Sequence, residues 1–98
     1  MKKVLQYIGL SDAEITVYPS LTRLGPKSIR IIAADAGINR GTTYEVLTRL
    51  VSRGLASYFP KGKRRYFVAT DPTNLISLAK EHQQSVVQAL QELESDIV

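Results

Sequence analysis

The sequence predicts a mainly α-helical domain of the α+β class that carries one small β-hairpin. Apolar residues recur at helical spacing over most of the 98 residues, and Ala36-Gly37-Ile38-Asn39 has the composition of a tight turn between two helices. Two short segments rich in aromatic and β-branched residues, 56–60 and 65–69, flank a glycine-containing turn. A helix, a turn, a second helix and a hairpin in this order predict a winged helix-turn-helix, which a long helix follows.

The first 25 residues predict two helices. Helical spacing of apolar residues predicts a short first helix that ends at Gly9. Ser11 and Glu14 have the spacing of a capping box, so a second helix is expected to begin there and to end at Leu24. Pro19 lies inside this second helix. Because proline lacks an amide donor and clashes with the preceding turn, it predicts a kink or an early break close to it.

Residues 28–54 contain the predicted helix-turn-helix. Ser28 is the expected cap of its first helix, and Gly37 supplies the left-handed conformation that ends that helix. Asn39 is the expected cap of the second helix, which Gly54 stops. Spacings of three and four residues assign the inward face of the second helix to Thr43, Val46, Leu47, Leu50 and Val51.

Positive charge is concentrated in the first part of the chain. Residues 1–70 carry twelve lysines and arginines against four acidic residues, a net charge of +8. Residues 71–98 carry one lysine against five acidic residues, a net charge of −4. The charges either merely cover the surface of a small domain or indicate that residues 1–70 form a domain that meets a polyanion, while residues 71–98 form a helix with a different task.

The second helix of the motif is the expected recognition helix, and its outward side carries the candidate DNA contacts. The predicted DNA-binding residues of this helix are Asn39, Arg40, Gly41, Thr42, Tyr44, Glu45 and Thr48. Arg40 can form a bidentate pair with guanine or with a phosphate, and Gly41 lets a phosphate backbone approach the helix N-terminus. The hydroxyl groups of the set can contact phosphate oxygens. Glu45 either accepts a hydrogen bond from cytosine or pairs with Arg49 four residues on.

The hairpin tip is strongly basic and forms the expected wing. Four of the five residues 61–65 are basic, and Gly62 provides the turn. A run of like charge is commonly only a solvated surface, but its position directly after a helix-turn-helix favours contact with DNA phosphates or the minor groove. The predicted wing residues are Lys61, Lys63, Arg64 and Arg65.

From residue 73 to about residue 97 the sequence predicts one long helix, with Asp71 and Pro72 at its start. Its apolar stripe has the alternating spacing of a coiled coil and cannot be stable without a packing partner. The stripe either folds back on its own domain or pairs with a second copy, and pairing is the expectation. The predicted dimer interface consists of Leu75, Ala79, His82, Val86, Ala89, Leu90, Leu93 and Ile97. A two-fold dimer would hold two recognition helices about 34 Å apart, which suits a pseudo-palindromic operator.

Several classes of function are not expected. The chain has no cysteine, so it offers no thiolate metal site, and its one histidine, His82, is expected in a core or an interface. No nucleophile–base pair, phosphate-binding glycine loop or convergent carboxylate pair is found, so neither an enzyme nor a cofactor is expected. No segment approaches the roughly 18 apolar residues of a membrane span. A soluble, cytoplasmic, nucleoid-associated protein without an evident small-molecule effector is the expectation.

The chain resembles the N-terminal domain of the TrmB family over about residues 4–76. The residues that carry the resemblance are Ile8-Gly9-Leu10-Ser11-Asp12-Ala13-Glu14, Val17-Tyr18, Leu24-Gly25, 36–47 and 50–55, and the stretch from Gly37 to Leu55 is the most specific part. TrmB proteins are largely archaeal winged-helix transcriptional regulators, many of them responsive to sugars. The resemblance implies that Arg40, Gly41, Thr42 and Tyr44 begin the DNA-reading helix and that Lys61, Lys63 and Arg64 form the wing.

Two departures from the family pattern qualify what the resemblance implies. Pro19 stands where the family usually has an apolar helix former. The chain ends at Val98, so the sugar-binding domain of longer members is not expected, and sugar sensing is not carried over.

The resulting prediction is a homodimeric, sequence-specific regulator of transcription that binds double-stranded DNA. A second hypothesis is a chromatin or architectural protein that coats DNA through phosphate contacts without reading sequence. A third is a winged-helix module that binds other proteins, with the acidic last helix as its docking element.

Overall fold

A computed structural model describes residues 2–97 and contains, within that range, five α-helices and three β-strands. The helices pack with one small antiparallel sheet, and this arrangement confirms the predicted fold class. The elements are α1 (Lys2–Tyr7), α2 (Asp12–Leu24), β1 (Lys27–Ser28), α3 (Ile29–Ala36), α4 (Arg40–Ser52), β2 (Ala56–Lys61), β3 (Arg64–Ala69) and α5 (Asn74–Ile97).

The sheet has one strand more than the predicted hairpin. Its strand order is β1-β3-β2, so the second hairpin strand lies in the centre. In β1, Lys27 pairs with Phe67 and Ser28 pairs with Tyr66. A strand of two residues has no alternation that a sequence pattern could reveal, and only its pairing with β3 defines it. This third strand ties the start of α3 to the hairpin.

Cap geometry confirms the predicted start of α2 and the predicted end of α3. The Ser11 amide donates to Glu14 Oε1 at 3.0 Å, and the Glu14 amide donates to Ser11 Oγ at 3.3 Å, which completes the capping box. Gly37 ends α3 with φ 75° and ψ 28°, the left-handed conformation expected of it. Ser28 holds the predicted cap position of α3, but its side chain forms no capping hydrogen bond.

The early break predicted near Pro19 is wrong, because α2 continues through the proline to Leu24. Val17, Tyr18 and Leu21 on either side of Pro19 are buried in the core, and burying such side chains favours the helix by about 1.5–3 kcal/mol each. This gain outweighs the cost of the missing amide donor. The alternative of a kink at this position stays a prediction.

One hydrophobic core joins every helix to the sheet. Helix α4 contributes Val46, Leu47 and Leu50, which are fully buried, and Leu78 near the start of α5 completes the core. The cluster consists of Leu5, Leu10, Ile15, Val17, Tyr18, Leu21, Ile32, Val46, Leu47, Leu50, Leu55, Ala56, Phe67 and Leu78.

The long helix α5 begins at Asn74, after a turn in which the Thr73 amide donates to Asp71 Oδ1 at 2.9 Å. Asn74 Nδ2 donates to the carbonyl oxygen of Gly54 at 2.9 Å and so anchors this end of the helix to the end of α4. The described residues span 59 × 24 × 22 Å. Because 24 helical residues are about 36 Å long, α5 projects well beyond the core.

The structure divides the predicted stripe of α5 into two halves. Leu75, Ala79 and His82 are half-buried, and the sequence pattern missed the buried Leu78 beside them. The other predicted members, Val86, Ala89, Leu90, Leu93 and Ile97, are exposed. The first half of the stripe therefore packs on its own domain, whereas the second half is uncovered in this chain.

Candidate nucleic-acid interface

Helix α4 presents one polar side to solvent and buries the other. Thr43, Val46, Leu47 and Leu50 are completely buried, as the predicted inward face requires, and Val51 is half-buried. The predicted DNA-binding residues Asn39, Arg40, Gly41, Tyr44, Glu45 and Thr48 are exposed, and Thr42 is half-buried. The rotation of α4 about its axis therefore places the predicted set on the outer side.

The hydroxyl and amide groups of this set differ in which of their hydrogen-bonding atoms are free to contact a ligand. Asn39 Oδ1 accepts a hydrogen bond from the Thr42 amide at 2.8 Å, so this oxygen acts as the helix cap. The side-chain amide nitrogen of Asn39 is the group that can donate a hydrogen bond to a ligand. Thr48 Oγ1 donates to the Tyr44 carbonyl at 2.9 Å, which leaves its hydroxyl as an acceptor in this conformation. Arg40 and Tyr44 are the most available donors of the set.

Glu45 forms no ion pair with Arg49 among residues 2–97, so the salt bridge considered for it is not present. Both side chains are exposed, and the ion pairs in this part of the chain are Arg23–Asp35 and Arg53–Glu14. Glu45 is the one acidic side chain on the outer face of α4.

The wing is a hairpin closed by a two-residue turn, Gly62-Lys63, between the paired residues Lys61 and Arg64. Gly62 has φ 65°, and no residue other than glycine has a positive φ in the described range, which is the pattern of a type II′ turn. The turn holds Lys63 and Arg64 exposed at the tip. It also fixes the register of both strands below them.

Two wing cations lie over aromatic rings. Lys61 Nζ is 5.0 Å from the centroid of the Tyr66 ring, and the guanidinium carbon of Arg65 is 5.2 Å from the centroid of the Tyr58 ring. Such contacts are worth about 0.5–1 kcal/mol at exposed sites. They restrain long side chains that would otherwise lose more conformational freedom when they bind a ligand.

An open cleft of about 630 Å³ lies between the start of α3, the start of α4 and the wing. Six residues predicted from the sequence line it, three from each of two elements: Arg40, Gly41 and Tyr44 from α4, and Lys63, Arg64 and Arg65 from the wing. Asn39, Thr42, Glu45, Thr48 and Lys61 do not line it. A neighbouring groove of about 300 Å³ lies between α4 and the wing strands. Tyr44 and Arg65 line this groove as well as the cleft, and Thr48 lines the groove alone.

The cleft is also lined by three residues that the sequence did not predict as DNA contacts. They are Ser28, Ile29 and Arg30, at the junction of β1 and α3. Arg30 is exposed and brings the number of cations around the cleft to five. The sequence offered only one signal for it, a lone arginine in a first helical turn, and its place beside the wing depends on the pairing of β1 with β3.

A partly buried ion pair fixes the far end of α4. Arg53 Nη1 donates to Glu14 Oε1 at 2.9 Å and to Glu14 Oε2 at 2.7 Å, and Glu14 is only 4% exposed. Burial raises the pKa of Glu14, but hydrogen bonds from the Ser11 amide and from Arg53 outweigh it and hold the pKa below its ordinary value. The capping carboxylate of α2 thus also binds the C-cap residue of α4.

Among residues 2–97 no group of three or more histidine, cysteine, aspartate or glutamate side chains is arranged to hold a metal ion. In the same range, no helix combines the length and the apolar character that crossing a membrane requires. The candidate DNA-binding side chains described above form one cationic cluster. Helix α4, the wing and the start of α3 contribute to it.

The comparison with family models decides which family this arrangement represents. The model described as "Sugar-specific transcriptional regulator TrmB" matches residues 5–73, which include the whole helix-turn-helix and the wing. The chain belongs to the TrmB family. The resemblance seen in the sequence is confirmed, and the matched family is described as one of transcriptional regulators rather than of enzymes. No curated protein matches this TrmB-family chain.

Solved structures share the fold of this TrmB-family chain. TrmBL2, described as an archaeal chromatin protein with a novel mode of DNA binding, superposes with a TM-score of 0.75 at 24% identity over 99% of this chain and 37% of its own. A possible transcriptional regulator from Methanosarcina mazei Go1 has a TM-score of 0.75 at 12% identity, with coverage of 94% and 83%. The transcriptional regulator Tm0710 from Thermotoga maritima has a TM-score of 0.65 at 20% identity, with coverage of 98% and 74%. The chain thus spans about a third of the length of TrmBL2.

Replacing Glu14 with glutamine is expected to lower the free energy of unfolding at pH 7 by about 1–3 kcal/mol, because Arg53 loses a charged partner. A carboxylate whose pKa is depressed by folding stabilises above its unfolded pKa of about 4.3, and this contribution is lost as the pH falls through the folded pKa. The difference between the two proteins should therefore shrink on acidification. Urea unfolding at pH 7 and at pH 3 measures it, with Glu92→Gln on exposed α5 as control. A difference that does not change with pH would contradict this account.

Proposed function

We propose that this TrmB-family chain binds double-stranded DNA sequence-specifically as a homodimer and regulates transcription at a pseudo-palindromic operator. In this proposal α4 lies in the major groove, and the wing contacts the phosphate backbone or the minor groove. The observation that carries it is the cleft in which five cations surround the N-terminus of α4. A cytoplasmic, nucleoid-associated location follows from the proposal.

The shape of the site supports insertion of α4. The major groove of B-DNA is about 12 Å wide and admits one α-helix. On α4 the buried side chains leave a continuous outer surface from Arg40 to Thr48. Arg40 at the N-terminal end of this surface is the candidate for a bidentate contact with guanine, and Tyr44 one turn further is placed for a phosphate or a base edge.

The distribution of charge supports phosphate contacts from two sides of α4. Lys63 and Arg64 extend from the wing tip, and Arg30 lies on the side of α3. In DNA complexes, contacts of this kind fix the position of the protein but carry no sequence information. We therefore assign specificity to the outer face of α4 and affinity mainly to the wing and Arg30.

Gly41 is better explained by DNA than by the fold. The nearest atom to a Cβ at this position would be Asn39 Oδ1 at 3.4 Å, and Gly41 does not have a positive φ. Glycine nevertheless costs a helix about 1 kcal/mol relative to alanine. An exposed glycine at the start of α4 leaves room for a phosphate at the free amides of the helix N-terminus.

A second candidate function has a specific observation in its favour. TrmBL2, which shares the fold, is described as a chromatin protein, and five cations around one cleft could also bind phosphates without regard to sequence. The two functions differ in the ratio of affinities for DNA upstream of the protein's own gene and for random DNA at physiological salt. A ratio near one favours coating, and a ratio of about 10³ or more favours an operator.

Arg40→Ala and Lys63→Ala are expected to weaken DNA binding in different ways. Loss of Arg40 should cost about 1–3 kcal/mol on the preferred sequence and reduce the preference over random DNA. Loss of Lys63 should weaken binding to all sequences and lower the slope of log K against log salt by about one. Fluorescence anisotropy on both DNAs over a salt series measures these effects, with Lys3→Ala on α1 as control. If wild-type protein fails to bind duplex DNA at low salt, the proposed function is wrong.

Gly41→Ala is expected to separate stability from binding. The added methyl group should raise the free energy of unfolding by about 0.5–1 kcal/mol, because alanine favours the helix. The same methyl group should reduce DNA affinity roughly tenfold by holding the phosphate away from the helix N-terminus, a cost of about 1.4 kcal/mol. Urea unfolding and anisotropy test the two effects on one preparation. Unchanged DNA affinity would remove Gly41 from the interface.

Leu90→Glu is expected to convert the homodimer to a monomer, because it places a charge in the centre of the uncovered half of α5. Leu90 is 60% exposed in the single chain, so its own domain should remain folded. Light scattering gives the mass, and circular dichroism checks the helix content. Gln91→Glu adds the same charge on the outer side of α5 and should remain dimeric. A Leu90→Glu protein that is still dimeric would place the interface elsewhere.

A further inference from the structure

Helix α5 has one apolar side along its length, and only half of that side is covered. Because each helical residue advances by about 100°, Leu78 and His82 lie on the same side as Val86 and Leu93. Leu78 is buried and His82 half-buried against the chain's own domain. Further along, the apolar residues are exposed by 45% at Val86, 60% at Leu90, 55% at Leu93 and 77% at Ile97.

We propose that a second copy of this chain covers the exposed half of α5, with the two helices antiparallel and the two-fold axis near residue 88. The inference rests on the homodimer of the proposed function and adds its orientation and register. Gln83, Val86, Leu90, Leu93 and Ile97 are separated alternately by three and four residues, the spacing of core positions a and d in a coiled coil. Four of these five core positions are apolar.

In an antiparallel pair each a position meets a d position of the partner. With the axis at residue 88, Val86 packs on the partner's Leu90 and Gln83 on the partner's Leu93. The partner's Ile97 then lies beside the half-buried Ala79, at the edge of the chain's own domain. A shift by one heptad either shortens the pairing or drives the partner helix into that domain.

The charges beside the core favour the antiparallel orientation. In the register above, position e faces e and position g faces g, so that Lys80 lies beside the partner's Glu94. A parallel pair in register would place Lys80 beside the partner's Leu75 and Glu94 beside the partner's Ala89. Opposite charges then meet only in the antiparallel pair, and such flanking charges determine the orientation of coiled coils.

The residues at the two-fold axis fit the same arrangement. Val87 lies outside the a and d positions, yet it is apolar and 46% exposed. At the axis of the antiparallel pair it meets Val87 of the partner subunit, and Ala89 meets its own copy on the other flank. The parallel pair would instead place Val87 beside the partner's His82. The antiparallel axis thus gives an exposed valine an apolar neighbour.

The position of the chain's own domain also opposes a parallel pair. A Cβ on Gly9 would lie 2.7 Å from His82 Nδ1, so the loop after α1 packs directly against the apolar side of α5 at this point. In a parallel dimer both domains would occupy that side at the same end of the seam and would compete for one space. In an antiparallel dimer they lie at opposite ends.

Disulfide cross-linking of single-cysteine variants tests the orientation, because the natural chain contains no cysteine. Gln83→Cys and Leu93→Cys are prepared separately, one of them with a mass tag, and are mixed under mild oxidation. Residue 83 and the partner's residue 93 share a layer in the antiparallel pair, whereas each residue lies about 15 Å along the axis from its own copy. Disulfides require Cα atoms within about 7 Å. The mixed disulfide should therefore form, and neither variant should cross-link to itself.

The other outcomes separate this inference from the proposed function. Light scattering on the wild-type chain establishes whether it is a dimer, and Gln91→Cys on the outer side of α5 reports collisional cross-linking. Self-linked Gln83→Cys and Leu93→Cys in a dimeric protein would overturn the antiparallel orientation and leave the homodimer intact. A dimer without the mixed disulfide would overturn the proposed register. A monomer at all concentrations would overturn both the orientation and the homodimer of the proposed function.

Discussion

The burial of one side of α4 is the constraint on which the rest of the site depends. Thr43, Val46, Leu47 and Leu50 are completely buried, and full burial of an aliphatic side chain is worth about 1.5–3 kcal/mol. Turning α4 by one residue, about 100°, would expose these side chains and bury polar ones. The rotation of the helix is therefore fixed, and Arg53 at its end is held by Glu14. Only because α4 cannot rotate does one defined set of polar side chains face outward.

The sheet fixes the positions of the basic side chains around the cleft. Strand β3 pairs with the rest of the wing on one side and with β1 on the other, so it joins Lys63, Arg64 and Arg65 to the start of α3, where Arg30 lies. Five like charges around one cleft repel each other. Binding of a polyanion relieves this repulsion, and the release of its counterions makes the free energy of binding more favourable. The cleft is thus an arrangement that a structural role alone would not favour.

Helix α5 uses the same side for two purposes. Near its start, Leu75 and Leu78 complete the core of the chain's own domain, while the apolar residues beyond Gln83 are exposed. A helix that projects with an uncovered apolar stripe is not stable by itself. The antiparallel pair that we propose covers this stripe and keeps the two domains apart.

The sequence by itself determined the helices, most of their caps, the helix-turn-helix and the basic hairpin tip, because each depends on residues within a few positions of one another. Ser11 with Glu14, Asn39 with Thr42 and the left-handed Gly37 are local features of this kind. The tertiary structure decided what depends on distant residues. It kept α2 intact through Pro19, added β1, brought Arg30 to the cleft, joined Glu14 to Arg53 and divided the stripe of α5 at His82. The physical reason is that local spacing specifies which side of an element is apolar, whereas only packing specifies what that side meets.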